Sequence, residues 1–294
     1  MEIIAIITTK NRTELFARAL QSVLSQTRQA DEIIVVTDST NENKAIEKGL
    51  IENSVATILN NKNAHNYAGS LNTAIHFILQ KNLFLQKDYK NTYIAFLDDD
   101  DEWYPQKIEQ QLNAFVNDKI ALVYCGNDVI DDDTGVFKHD KRKFVSGMIF
   151  DSLIEDNFIG STSYPLLRKD RLVEIGGFDA LMQSSQDYDV WLRIAKKYEV
   201  TYIEESLVLY HIHSGDQITK NPRKKIAGLE RIYSKYKEYI ESNPNAKWNR
   251  TIKIAPFYAM EGDIKKALKL WIVAVIICPF RVKDNLRYLA EIFK

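Results

Sequence analysis

The chain has no glycine-rich loop after any of its apolar segments, only two cysteines, and no apolar run long enough to cross a bilayer. Without a glycine-rich turn leading into a helix, a P-loop or a dinucleotide-cofactor site is a poor reading, and neutralising a phosphate would fall mainly to a metal. Cys125 and Cys278 lie far apart and form no metal or redox spacing, which suits reduced thiols in a cytoplasmic protein. The longest uncharged apolar run, Leu270–Phe280, has 11 residues, about half of the ~20 a spanning helix needs. Ile3–Ile7 is apolar too, but Glu2 stands where a signal peptide wants positive charge, and the run ends at Thr8-Thr9-Lys10. A buried strand is the better reading. No internal repeat, low-complexity stretch or nucleic-acid motif is present.

What is present is the material for a sizeable core: 294 residues, 45% of them hydrophobic and 27% charged. The net charge of −1 hides an asymmetry. Residues 220–294 carry 17 Lys and Arg against 7 Asp and Glu, whereas residues 1–219 carry 22 against 33. An acidic body suits cation binding and argues against a polyanionic partner. A basic tail with apolar stripes suits an anionic membrane face, or is simply a solvated pair of helices.

The first hundred residues alternate strand and helix. Strands are expected at Glu2–Thr8, Asp31–Val36, Val55–Leu59 and Tyr93–Leu97. Helices are expected at Thr13–Gln26, with Thr13 as N-cap, from Asn41, and at Ser70–Gln80. Such alternation predicts an α/β fold with a mostly parallel central sheet and helices on both faces. Further along, Pro105 suits the first turn of a helix, Ala121–Cys125 a strand, Asp131–Gly135 a hairpin turn, Gly147–Asp156 and Gln186–Tyr198 helices, and Thr201–Tyr210 the last strand. After His213 the pattern is helical. This divides the chain into a body, residues 1–215, and a C-terminal helical appendage, residues 216–294.

Ligands of open α/β sheets sit beyond the carboxyl ends of the strands. Asp38 follows the second strand, and Asp98-Asp99-Asp100-Asp101-Glu102 follows the fourth, so both should line one crevice. Five consecutive acids repel one another unless a cation offsets the charge, and carboxylate oxygens suit Mn²⁺ or Mg²⁺ bound to substrate phosphates. A solvated acidic loop is the plain alternative. Asp187 opens a helix, where a carboxylate is either a cap favoured by the helix dipole or a general base. His211 and His213 end a strand, as a metal or phosphate contact or as a surface pair. Asp38 taken alone reads as a loop cap.

Six segments in a fixed order resemble family 2 glycosyltransferases of the GT-A fold. They are Ile3–Arg12 (IIAIITTKNR), Ile33–Thr40 (IIVVTDST), Phe96–Trp103 (FLDDDDEW), Gly176–Asp179 (GGFD), Gln186–Arg193 (QDYDVWLR) and Tyr210–His213 (YHIH). The resemblance covers about residues 1–215. It implies the nucleotide-diphospho-sugar transferase fold and an inverting transfer of a hexose or N-acetylhexosamine from a nucleotide diphosphate sugar, typically a UDP-sugar. The acceptor would be a hydroxyl of a glycan or lipid-linked saccharide. It implies that Thr9 and Asp38 meet the nucleotide, that Asp98 and Asp99 hold ribose and metal, that Asp100 and His213 bind Mn²⁺ or Mg²⁺, and that Asp187 is the base. Lipid-linked acceptors would make peripheral contact between the tail and the inner membrane face useful.

The chain departs from the family at Thr37, where an acid is usual, at Gln186, where Glu is usual, and at Ser70-Leu71-Asn72, which lacks the family's arginine. His65 or Asn66 stand near enough in sequence to replace it. Three other classes compete with this reading. A nucleotidyltransferase would want glycine in Thr8–Arg12, a silent carbohydrate- or nucleotide-binding module would not need the retained acids, and a glycoside hydrolase would not need a metal-binding row.

Overall fold

The computed structural model describes residues 1–52, 54–85, 91–215 and 221–293. The boundary expected at 215/216 borders residues 216–220, which lie outside the described residues. By contact density the chain forms two compact units. The first comprises 1–149, 158–180 and 190–214; the second comprises 150–157, 181–189 and 215–294.

The first unit is built on a mixed sheet in the order β3-β2-β1-β4-β8-β6-β9-β5, where β5 is Glu102–Trp103, with β7 (Phe137–His139) paired to β6. Strands β1 (Glu2–Thr9), β2 (Glu32–Thr37), β3 (Ala56–Asn60) and β4 (Thr92–Asp98) are parallel. The near-continuous apolar runs of β1, β2 and β4 are what a strand covered on both faces requires, whereas β3, at the sheet edge, is only partly buried. Ile3, Ala5 and Ile7 join Phe16, Ala19, Leu20 and Val23 of α1 (Thr13–Leu24) in one core cluster. The alternate residues Ile4 and Ile6 are equally buried, and α3 (Tyr67–Leu85) packs on β1 and β2.

Beyond β4 the parallel run ends. Strand β8 (Leu166–Arg168) enters antiparallel between β4 and β6 (Ile120–Asp131), and β9 (Glu199–Ile212) then runs parallel to β6. Three residues are too few to show a period in sequence, so β8 was not foreseen. The β6–β9 pairing shifts register around Gly126, where a Cβ would lie 2.6 Å from the Glu204 carbonyl oxygen. Glycine there permits the close approach of β9.

Several local expectations are corrected. Thr13 is the first residue of α1 rather than its cap, and no side chain caps that end. Pro105 precedes α4 (Lys107–Asn113), and its carbonyl accepts from Thr27 N–H at 2.8 Å. Residues 147–156 contain only the single turn α5 (Phe150–Leu153), because Gly147 adopts φ +96° and pairs with Val200. The Asp131–Gly135 turn forms as expected, with Asp131 Oδ1 accepting from Asp133 and Thr134 N–H and β7 (Phe137–His139) returning antiparallel.

The loop Gly176–Asp179 is fastened to α3 by one side chain. Asn72 Nδ2 donates to the Phe178 carbonyl at 2.8 Å, and Asn72 Oδ1 accepts from Phe178 N–H at 3.0 Å. Gly177 sits at φ +67° with that amide oxygen 3.0 Å from where a Cβ would be. Asn72→Ala leaves two half-buried backbone groups without partners, which should lower unfolding free energy by about 1–3 kcal/mol. Urea denaturation measures this, and an unchanged midpoint would show that other contacts, such as the Arg193 bond to the Gly177 carbonyl at 2.6 Å, suffice to hold the loop.

The second unit gathers α8 (Pro222–Lys235), α9 (Lys237–Ser242), α10 (Pro244–Met260), α11 (Ile264–Ile277) and α12 (Val282–Ile292) with the short segments 150–157 and 181–189. Ala267 and Ala274, seven residues apart, form the buried seam of α11 and let it lie close to α10. Arg250 of α10 donates to the Tyr188 hydroxyl at 2.6 Å and to the Ile154 and Glu155 carbonyls at 3.3 Å. Helices α8, α10 and α11 line a cavity of about 390 Å³. Among the described residues, no helix is long and apolar enough to cross a membrane.

Candidate active site

Parallel register brings the carboxyl ends of β1, β2 and β4 to one edge. Thr9 pairs with Thr37 and Thr8 with Asp98, and Asp38 N–H continues the ladder to the Thr9 carbonyl at 3.1 Å. Thr9, Asp38 and Asp98 therefore share the edge where the sequence predicts a crevice.

The loop after β1 is shaped by Asn11, which adopts φ 56°. Asparagine tolerates this left-handed conformation better than most residues. Asn11 N–H donates to Ser39 Oγ at 2.7 Å, and its Oδ1 accepts from Thr40 N–H at 2.7 Å and Asn43 Nδ2 at 3.0 Å. The β1 loop is thus tied to the β2 loop, with Lys10 and Arg12 set on either side of Asn11. Lys10 Nζ reaches Asp38 Oδ2 at 3.2 Å, and His65 Nδ1 lies 2.9 Å from Asp38 Oδ1. Burial pushes the Asp38 carboxyl up, but the bonds to His65 and Lys10 outweigh it and hold it below the usual range. His65 thus joins the Asp38 site, whereas Asn66 is spent on the Ala180 carbonyl, 3.0 Å away.

Every acid of the row has a partner within the protein. The Tyr67 hydroxyl is shared between Asp98 Oδ1 and Thr162 Oγ1. Arg12 Nη1 bridges Asp99 Oδ1 at 3.0 Å and Asp100 Oδ2 at 3.1 Å. His213 Nε2 lies 3.2 Å from the same Asp100 oxygen. Asp101 is buried, its Oδ2 accepting from Ser163 Oγ at 2.6 Å and its Oδ1 from His211 N–H at 3.3 Å. The His211 ring lies between Glu102 Oε1 at 2.9 Å and Asp132 Oδ1 at 2.6 Å. Both histidines of the Tyr210–His213 segment therefore turn toward the acids, but to different ones.

The protein's own cations leave part of the repulsion standing. Burial lifts the Asp99 carboxyl to about 6, with Asp100 adding to the rise and Arg12 opposing it. Burial and the charges of Asp100 and Asp98 push Asp101 well above the ordinary range, against hydrogen bonds from Ser163 and His211. Asp98, Asp100 and Asp101 each present an oxygen within 4.8 Å of the others. Three converging hard oxygen donors whose negative charge is only partly offset by Arg12 and His213 fit a divalent cation such as Mg²⁺ or Mn²⁺. Asp101 enters this group although the sequence reading had placed only its neighbours at the metal. Arg12 and Tyr67 were also missed. Arg12 lies in the first of the six segments, and its nearness to Asp99, 87 positions on, has no local signal.

Asp187 belongs to the second unit, in the first turn of α7 (Gln186–Ala195). It is half-buried, and its Oδ1 accepts from Tyr188 N–H at 2.7 Å. Burial raises its carboxyl above the ordinary range, opposed by the Tyr188 amide and by the Lys225 charge. Asp189 differs. It is fully buried and ion-paired to Lys235 Nζ at 2.5 Å, with the Tyr236 hydroxyl 3.3 Å away. The structure thus separates the two acids of Gln186–Arg193 into an anchored one and one that, among the described residues, no basic side chain holds in an ion pair within 4 Å.

A mixed α/β sheet with an acid row on its strand edge is the architecture of the GT-A-like transferases. S. aureus TarS 1–349, solved in complex with UDP-GlcNAc, superposes with a TM-score of 0.61 at 15% identity, covering 99% of this chain and 90% of that one. The profile of glycosyl transferase family 2 matches residues 4–184. The chain belongs to glycosyl transferase family 2 and is a glycosyltransferase by family.

It is 28% identical over 245 residues to the putative colanic acid biosynthesis glycosyl transferase WcaA of Escherichia coli K12, covering 79% of this chain and 80% of that protein. It is 26% identical over 241 residues to the Escherichia coli UDP-Glc:alpha-D-GlcNAc-diphosphoundecaprenol beta-1,3-glucosyltransferase WfgD, covering 81% and 85%. Against the longer Rickettsia felis and Rickettsia conorii glycosyltransferases it also matches, the chain spans 34% of their length, and 53% of the longer TarS chain.

Proposed function

We propose that the protein transfers a hexose or N-acetylhexosamine from a nucleoside diphosphate sugar, a UDP-sugar foremost, to a hydroxyl of a glycan or lipid-linked saccharide, with inversion at the anomeric carbon. The observation that carries this reading is the convergence of Asp98, Asp100 and Asp101 on the same sheet edge as Thr9 and Asp38, in a family 2 chain. The UDP-GlcNAc bound by TarS and the diphosphoundecaprenol acceptor named for WfgD support the donor and acceptor classes.

In this reading Thr9 and Asp38 receive the nucleoside, with Lys10 and His65 setting the Asp38 carboxylate. Asp98 and Asp99 hold the ribose and the cation side of the diphosphate. Asp100, with His213 beside it, would hold Mn²⁺ or Mg²⁺, and Asp101 braces the turn. A divalent cation bound there supplies Lewis-acid stabilisation of the negative charge that grows on the departing diphosphate. Asp187 takes the proton of the acceptor hydroxyl as that oxygen bonds to the anomeric carbon. The bond from that carbon to the phosphate oxygen breaks, and the nucleoside diphosphate leaves with the electron pair. Burial that raises the Asp187 carboxyl moves it toward the pH at which a general base works best. Contact of the C-terminal helices with an anionic membrane would bring the enzyme to a lipid-linked acceptor.

A thermal-shift panel of UDP-, dTDP- and GDP-sugars with and without Mn²⁺ tests the donor class. A ligand at about 100 times its Kd stabilises the folded state by about 2.7 kcal/mol. A UDP-sugar should raise Tm only with Mn²⁺ present. No shift with any nucleotide sugar would overturn the reading.

A further inference from the structure

The C-terminal unit ends in a hairpin of two helices whose outer surface is apolar. Phe280, in the turn between α11 and α12, is 97% exposed, and Ile276, the penultimate residue of α11, is 73% exposed. Ile272 on α11 and Val282 and Leu286 on α12 continue the same exposure. The four-residue spacing of 272 and 276, and of 282 and 286, places each pair on one face of its helix, and Phe280 stands in the turn between them. Isolated exposed apolar residues are ordinary, but several large ones gathered around one turn mark a binding surface.

Trp271 does not belong to this surface. Its indole N–H donates to the Asn285 carbonyl at 2.7 Å, and its ring packs in the interior clusters of the unit. The Trp248 indole donates to Asn285 Oδ1 at 2.9 Å, and Asn285 Nδ2 to the Cys278 carbonyl at 3.1 Å. Buried Asn285 thus clamps the hairpin turn from inside, so the apolar residues outside are presented by a braced structure.

Charge indicates the occupant. Residues 264–293 hold six Lys and Arg against two acids. Lys265 and Lys269 flank the apolar face of α11, and Lys283 and Arg287 that of α12; all four are exposed. Arg281 lies over the Trp248 ring, 4.3 Å from its centroid. A second copy of the chain would bring like charges together around the patch. An anionic bilayer offers both partners at once, acyl chains for Phe280 and Ile276 and phosphates for the lysines. A helix of 14 residues is about 21 Å long, short of the ~30 Å hydrocarbon thickness, so the contact must be interfacial rather than spanning.

We infer that the α11–α12 hairpin is an anionic-membrane docking surface, inserting Phe280 and Ile276 between headgroups with Lys269, Lys283 and Arg287 around them. This deepens the lipid-linked-acceptor reading, and it is testable without any sugar transfer, so either can fail alone.

The test is flotation of the purified full chain with phosphatidylglycerol/phosphatidylcholine vesicles and with phosphatidylcholine vesicles, at low and high salt. The chain should float with the anionic vesicles, less so at high salt, and weakly with the neutral ones. The double variant Ile276→Ser, Phe280→Ser changes only exposed side chains, so its melting curve should match wild type while its bound fraction falls at least about tenfold. Lys283→Glu should weaken binding to anionic vesicles only. Failure of the folded wild type to float with either vesicle would overturn the inference, as would flotation indifferent to the double variant. So would a concentration-dependent dimer that the double variant abolishes, because the surface would then belong to a second copy.

Discussion

Asp100→Ala should cost transfer about 10²–10³-fold or more and remove the Mn²⁺ dependence of nucleotide diphosphate binding. Asp100 is the acid on which Arg12 and His213 both close, and one of the three whose oxygens converge. Its loss removes a cation ligand and leaves the diphosphate charge to Arg12 and His213 alone. The fold should survive, since Arg12 keeps its bond to Asp99. Transfer assays and calorimetric titration of UDP with and without Mn²⁺ measure both effects. Full activity of wild type under excess chelator would dismiss the metal role.

The same site has a pH signature with a definite sign. Burial holds the Asp99 carboxyl near 6, above the ~3.9 of an unfolded aspartate. A proton and a cation compete for the charge of this row, so Mn²⁺ affinity should fall as pH drops through about 6. Asp99 acts on the metal-free fold in the opposite direction. Its folded pKa is raised, so folding binds a proton between about pH 6 and 4, and its contribution to stability improves as pH falls through that window.

Asp187→Asn should leave donor affinity unchanged and lower transfer by about 10²–10⁴-fold, the usual share of a positioned base. Asparagine keeps an oxygen for the Tyr188 amide, the hydrogen bond that Asp187 accepts at the start of α7. It cannot take the acceptor's proton. Single-turnover assays beside calorimetric donor titration separate the two quantities. Normal transfer with normal donor binding would leave Asp187 a helix cap. Asp189 provides the contrast. Sealed against Lys235 and Tyr236, it belongs to the framework, and replacing it should show in the melting curve.

The sequence by itself determined the parallel half of the sheet. Ile3–Ile7, Ile33–Val36 and Tyr93–Leu97 are apolar at every position, which only strands covered on both faces need. It also determined that acids stand at the ends of β2 and β4, because parallel strands with similar lengths finish on one edge. The six segments that mark glycosyl transferase family 2 are each short and contiguous, so the family too was legible.

Tertiary structure decided what lies between those segments. Arg12 meets Asp99, Tyr67 meets Asp98, and Ser163 meets Asp101 only because β1, α3 and the loop before β8 are neighbours in the sheet order. Strand β8 entered antiparallel with three residues, too short to leave a period. The two acids of Gln186–Arg193 look alike in sequence, yet Asp189 is anchored by α8, a helix more than thirty residues later. Trp271 turns inward because Asn285 supplies its hydrogen-bond partner, which leaves Ile276 and Phe280 outside. Periodicity and turn chemistry act over a few residues. Hydrogen bonds and ion pairs between distant segments depend on which strands and helices pack side by side, and no local pattern in the chain encodes that order.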